Sequence, residues 1–137
     1  MELSDEARTF LNEMRFATLA TINADGTIQQ TVMWYLLRDD TIVMNTAKGR
    51  QKERNLGREP RLSICVEDGY RYVTMTGTVT MIDDPNTAQA DVAELAVRYH
   101  GAEGAAPIIE NQFRQQERIS LVMPIERSDE RGFDGTI

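Results

Sequence analysis

Histidine and cysteine are nearly missing from this 137-residue chain, which has one of each, His100 and Cys65. A single cysteine forms no internal disulfide, no Cys/His spacing of the kind that holds zinc can be written, and no nucleophile–base pair is found. Positive charge is also scarce, with 15 Lys and Arg against 22 Asp and Glu and a formal net charge of −7. That balance argues against nucleic acid or an anionic membrane as the main partner, because both are held through broad basic surfaces. No apolar run is long enough to span a bilayer and no signal peptide is visible, so a soluble cytoplasmic protein with no membrane partner is expected. The length corresponds to one domain over residues 1–137, able to bury roughly two thirds of its unfolded surface without staples.

The positive charge that is present is concentrated. Lys48, Arg50, Lys52, Arg54, Arg58 and Arg61, six of the fifteen cations, fall in the stretch Thr41 to Arg61, TIVMNTAKGRQKERNLGREPR. Thr41–Val43 is β-branched strand material and Asn45 to Gly49 is turn material. From Arg50 the residues favour helix, with Gly57 as a terminator and Pro60 forbidding continuation. A strand that feeds a helix start presents unpaired N–H groups and a positive dipole end, so an anion such as phosphate is expected at Gly49–Lys52. Arg50 and Lys52 lie roughly 200° apart on a regular helix, so both reach one phosphate only if Arg50 sits in the preceding turn. The alternative is a solvated helix on which Glu53 and Glu59 serve as charge partners.

Around this stretch the pattern predicts an N-terminal helix capped by Ser4, with Ala7, Phe10, Leu11 and Met14 on its apolar face. A hairpin follows, Phe16–Ile22 and Thr27–Leu37 about an Asn23–Gly26 turn, then a turn at Asp39-Asp40. Arg61–Glu67 and Tyr70–Ile82 form a second strand pair, with Gly77 marking a bulge or sharp bend. Pro85–His100 is a helix ended by Gly101, Gly101–Pro107 a loop, Ile108–Gln116 a weaker helix and Ile119–Glu126 a closing strand. A loop or tail is expected over 128–137. Five or six strands in meander order with flanking helices define an α+β fold built on a small antiparallel barrel. A cofactor would bind in a groove outside such a filled barrel, most naturally between two subunits, with Trp34, Tyr35, Tyr70 and Tyr72 contributing to the contact. Lone Cys65 reads as a core residue and His100 as a cation capping a helix end.

The order of a helix, ATLATINADGTIQQTVMWYLL, TIVMNTAKGRQKERNLGREPRLSICVED and GYRYVTMTGTV resembles the split β-barrel flavin and deazaflavin oxidoreductases, the superfamily that includes pyridoxamine 5′-phosphate oxidase. Its most specific piece is GRxKxRNLxRxPRxSI from Gly49 to Ile64. The resemblance implies a homodimer with two cofactor sites at the interface and a small-molecule substrate. Relatives that use flavin mononucleotide (FMN) carry basic residues at positions matched here by Thr31, Leu36 and Gln51-Lys52, so three of the four are absent. The branch that uses the deazaflavin coenzyme F-420 is similar in its Arg-x-Lys followed by Arg-Asn-Leu, supplied here by Arg50, Lys52, Arg54, Asn55 and Leu56.

By that likeness Arg50 and Lys52 hold the phosphate, and Lys48 or Arg58 meets the polyglutamate tail. Thr46 contacts the ring edge, Thr31 and Met33 flank its face, and Tyr72 of the second subunit closes over it, or else packs with Trp34 in the dimer contact. The expected activity is hydride transfer between reduced F-420 and a small organic acceptor. FMN binding in the manner of pyridoxamine-phosphate oxidase, a cofactor-binding module without turnover, and handling of haem or another tetrapyrrole are the alternatives that the same superfamily offers.

Overall fold

The Ser4 hydroxyl accepts a hydrogen bond from the Ala7 amide at 3.1 Å and starts α1, Asp5–Asn12, in the computed structural model, which describes residues 3–135. Ala7, Phe10 and Leu11 are buried as their helical spacing requires, whereas Met14 falls beyond the helix and is exposed. The first hairpin joins β1, Ala17–Ile22, to β2, Ile28–Met33, in antiparallel register from Ala17↔Met33 to Ile22↔Ile28. Gly26 takes a φ of 86° in its turn, a left-handed conformation that glycine adopts without steric cost.

The second strand ends four residues before the expected Leu37. Tyr35 turns inward, becomes fully buried and donates its hydroxyl to the Leu11 carbonyl at 2.7 Å; burial pushes its phenol up to about 12. Its amide donates to the Tyr99 hydroxyl at 3.1 Å instead of to a neighbouring strand. The chain therefore crosses here from one sheet to another, continuing as β3, Leu36–Arg38, and β4, Thr41–Ala47. Tyr35 is thus a core residue and not an exposed interface aromatic.

After α2, Gln51–Arg58, come β5, Arg61–Glu67, and β6, Tyr72–Thr78. A second crossing at Val79 splits the long strand expected over Tyr70–Ile82 and leaves β7, Thr80–Ile82, in the other sheet. Leu62, Ile64 and Val66 of β5 point into the core, and Cys65 lies half-buried on the opposite face, where burial and Glu67 push its thiol up. The helix α3 runs over Pro85–Asn111 from an Asp84 N-cap, through a break at Gly101 with φ 75° and ψ 167°. Gly101 interrupts this helix, as expected, but residues 102–107 are helical and not a loop, because Ala105 turns into a small cluster with Val92, Ala96 and Phe113.

A 3-10 turn at Phe113–Gln115 leads to β8, Arg118–Pro124, and then to β9, Arg127–Arg131. The last strand is a correction to the loop or tail expected from residue 128: it pairs with β6 from Tyr72↔Arg131 to Thr76↔Arg127, using an open edge that a polar, exposed sequence does not reveal. Thr136 and Ile137 lie outside the described residues.

Two antiparallel sheets result, one in the order β2-β1-β5-β6-β9 and one in the order β3-β4-β8-β7. Their inward faces enclose a core of Leu19, Ile42, Met44, Ile64, Met75, Leu121 and Met123, capped by Phe10 and Leu11 of α1. The observed α+β architecture has nine strands among the described residues, more than the five or six expected, because each of the two sheet crossings divides a strand in two and β9 adds one more.

Gly77 sits where the sheets come closest. A Cβ at this position would lie 2.6 Å from the Pro124 carbonyl oxygen and 2.9 Å from Met123 Cγ, so β6 and β8 approach only because no side chain is there. Gly77→Ala is expected to lower stability by about 1–3 kcal/mol, the usual cost of overpacking, and a lowered midpoint in thermal or urea unfolding checks it.

Candidate functional site

The basic stretch folds as a strand, a turn and a short helix, and its orientation is fixed from behind. Asn55, fully buried on α2, donates to Thr21 Oγ1 at 3.0 Å and Asn23 Oδ1 at 2.9 Å, and its carbonyl oxygen accepts from Gln51 Nε2 at 2.7 Å. These bonds latch α2 onto the first hairpin. Arg50 occupies the N-cap with extended backbone, and no side chain caps the helix. That places Arg50 in the turn ahead of the helix, the condition under which it and Lys52 face the same way.

Both line a cleft of about 400 Å³ between the first hairpin, β4 and the helical wall of α3. One end of it is cationic, with Arg50, Lys52 and Arg118 beside Asn45 and Thr46. The rest of the lining is apolar and aromatic, with Met33, Trp34, Val92, Leu95 and Phe113, whose ring lies against the Arg118 guanidinium, and His100 also faces the space. Trp34 stacks on Tyr99 with ring centroids 5.2 Å apart and meets His100 and Phe113 edge-on. His100 therefore takes part in a wall of the cleft, at the kink before Gly101, beyond the helix-capping role expected of it.

The charge at the cationic end is uncompensated. Lys52 is only 8% exposed, and burial, reinforced by Arg50 and Arg118, lowers the proton affinity of its amine. Burial and the nearby Arg50 push the Arg118 guanidinium down to about 10. Among the described residues no carboxylate forms an ion pair with Arg50, Lys52 or Arg118. Lys52 is buried, Arg118 half-buried and Arg50 exposed, so the cost of an unpaired buried charge falls mainly on Lys52, and a ligand anion is the natural compensation.

The expected site residues divide into two groups. Met33, Thr46, Arg50 and Lys52 are brought together in the cleft. Lys48 instead pairs with Asp83 at 2.5 Å and faces a neighbouring groove with Arg114, Glu117 and Arg118, which lines both spaces, Asn55 is the latch behind the helix, and Tyr72 lies on β6 away from the cleft. Thr31 is partly buried on β2 beside the cleft strand residues, and its hydroxyl has no hydrogen-bond partner. Trp34 packs against Tyr99 and Phe113 instead of standing free as a contact residue.

Arg118 was not expected. It begins β8 and reaches the site through the pairing Ala47↔Arg118, a contact between residues remote in sequence. Its local signal was confined to a cation placed ahead of the apolar run Ile119–Val122.

An aromatic, apolar slot with an anion grip at one end fits a planar ligand that carries phosphate. No group of three His, Cys, Asp or Glu able to hold a metal occurs among the described residues, and no helix is long and apolar enough to cross a membrane.

Lys52→Met is expected to raise the thermal midpoint of the ligand-free protein, since it removes a buried, uncompensated charge, while abolishing protection by phosphate-bearing ligands. A lowered midpoint in differential scanning fluorimetry would show that Lys52 is held by the fold for its own sake.

The profile of the pyridoxamine 5′-phosphate oxidase family matches residues 3–127. Among solved structures, a conserved hypothetical protein from Mycobacterium tuberculosis is 29% identical with a TM-score of 0.81, the match covering 95% of this chain and 85% of that one. An F420 reductase is 24% identical with a TM-score of 0.75, covering 93% of this chain and 98% of the other. A haem storage protein from Vibrio cholerae is 21% identical with a TM-score of 0.74, covering 97% of each. The last two likenesses show the shared fold alone.

Proposed function

The chain belongs to the pyridoxamine 5′-phosphate oxidase family, a split-barrel superfamily that includes oxidoreductases, and on that premise we propose that it is a deazaflavin (coenzyme F-420)-dependent oxidoreductase. The substrate is a small organic acceptor of hydride. The observation that carries this reading is the cation pair Arg50 and Lys52, with no acid paired to it among the described residues, in an aromatic-walled cleft.

The residues present fit such a group. Lys52 is a buried point charge and Arg50 a planar donor, two complementary ways to hold a phosphate. Gln51, which stands where FMN users carry Arg, is turned away to Asn55 and Arg54. Met33 and Trp34 offer apolar surface to a ring, and Asn45 and Thr46 offer polar contacts along one edge. When bound, reduced F-420 supplies a hydride. The protein's own part is to bind and orient: the cations fix one end, while Val92, Leu95, Ile108 and Phe113 narrow the space and exclude water from the other.

The site closes better with a second copy of the chain. Val32 lines the cleft yet is 69% exposed, and Ile28 on the same strand is 61% exposed, beside a groove along the outer face of β1, β5 and β6. A homodimer through this face would cover both residues, and Tyr72, on that sheet, would be contributed from the partner.

FMN is a second reading, favoured by Arg118, which restores one cation to a site whose matched FMN positions Thr31, Leu36 and Gln51 carry none.

Trp34, the only tryptophan, lines the cleft, so ligand binding is expected to quench its fluorescence directly. Titration of the apo protein with F-420 and with FMN is expected to give micromolar binding of F-420 and a weak response to FMN; the reverse would replace the deazaflavin reading by a flavin one. Arg50→Ala and Lys52→Ala are each expected to weaken cofactor binding by about 1–3 kcal/mol, the range of a charge-assisted hydrogen bond, in the same titration.

A further inference from the structure

Arg118 is held as a binding group is held. Its Nε donates to Asn45 Oδ1 at 2.8 Å, its Nη1 donates to Gln116 Oε1 at 2.6 Å, and its guanidinium lies over the Phe113 ring at 4.7 Å. Asn45 is fixed in turn: its amide nitrogen donates to the Ala88 carbonyl at 3.0 Å, which leaves its oxygen to face Arg118. Nearby, Ser120 donates to buried Asp91 at 2.6 Å, and Asp91 pairs with Arg38 at 2.9 Å, a guanidinium it shares with Glu94 at 2.8 Å. The acid of this network is therefore committed elsewhere, and Arg118 receives only neutral partners. Those partners engage Nε and one N–H of Nη1, and the Nη2 edge has no acceptor among the described residues. A half-buried fork, braced by neutral partners and with a free edge, has the geometry of bidentate anion capture.

We propose that Arg118 completes a three-cation anion site with Arg50 and Lys52, and that the bound ligand brings at least two negative charges into it. This rests on reading the cleft as a site for a phosphate-bearing cofactor. The charge count supports it. One monoanion would leave two of three mutually repelling cations uncompensated at one end of a single cleft, whereas a phosphate monoester dianion, or a phosphodiester flanked by a carboxylate, balances the cluster. Both belong to one ligand chemistry, an oxyanion group of charge −2 attached to a planar ring, and the pair of cofactors already considered supplies one of each.

The test compares wild type, Arg118→Gln and Arg118→Lys, with Arg114→Gln as a control four residues away whose side chain pairs with Glu110 outside the cleft. The probes are FMN, riboflavin, F-420 and inorganic pyrophosphate, the first three by Trp34 quenching and the last by its competition with F-420 and by thermal shift. Arg118→Gln is expected to lose roughly tenfold or more in affinity for F-420 and pyrophosphate, and for FMN to the extent that FMN binds, with riboflavin binding unchanged, as loss of one charge-assisted contact implies. Arg118→Lys should recover part of the loss, and Arg114→Gln should match wild type. The midpoint of ligand-free Arg118→Gln should not fall, which a bracing role for the guanidinium would require. Unchanged pyrophosphate affinity in Arg118→Gln, equal losses for riboflavin and FMN, or no pyrophosphate binding by wild type would each overturn the inference. Arg118-dependent binding of FMN with none of F-420 would keep it and remove the deazaflavin reading instead.

Discussion

The pairing of β4 with β8 is the constraint on which the site depends. Its register, from Thr41↔Pro124 to Ala47↔Arg118, closes the second sheet and sets the two ends of the chain's longest excursion side by side. Everything between those strands, including α2, β5, β6 and α3, is a loop in the topological sense, and its ordering is repaid by burial along this seam. β4 is buried on both faces as a result, by the barrel core on one side and by α3 on the other. A strand covered on both faces carries few exposed polar residues. Asn45 and Thr46, polar and buried, are therefore exceptions, and both line the cleft.

The same seam explains how charge is kept where it is. Asp91, buried on α3, is satisfied by Ser120 of β8 and by Arg38 of β3, so the helix is tied to two strands of the sheet beneath it. Asn45 donates into this region and accepts from Arg118 at its edge. Arg38 is shared by Asp91 and Glu94, so both acids of the network turn to it, and toward Arg118 the network presents the side-chain oxygen of Asn45. Beyond it Arg50, Lys52 and Arg118 meet no acid among the described residues, and the unpaired charge of buried Lys52 is the cost that the proposed anionic ligand would remove.

Local signals were read well where the physics is local. Ser4 caps α1, Gly26 turns the first hairpin, and Gly49 to Arg58 form a turn and helix with Arg50 ahead of it, because capping, left-handed glycine and helix propensity act within a few residues. The misplaced strand ends have a common cause. At Trp34-Tyr35 and at Val79 the chain changes sheets, and the β-branched and aromatic pattern runs through the crossing without a break. The partner of a strand edge is likewise invisible locally: β9, with the polar sequence Arg127–Arg131, is a strand only because β6 offers it an edge.

What the amino-acid order determined by itself was the family pattern, the α+β class and the approach of Arg50 and Lys52, the first two cations of the proposed anion site, which are near neighbours on a turn whose geometry short-range forces set. Tertiary structure decided the rest. It drew Lys48 to Asp83, committed Asn55 to the hairpin, moved His100 and Trp34 into one aromatic wall, and delivered Arg118 from the far end of the chain. The physical reason is that burial, ion pairing and strand register depend on which surfaces meet, and those surfaces belong to residues far apart in sequence.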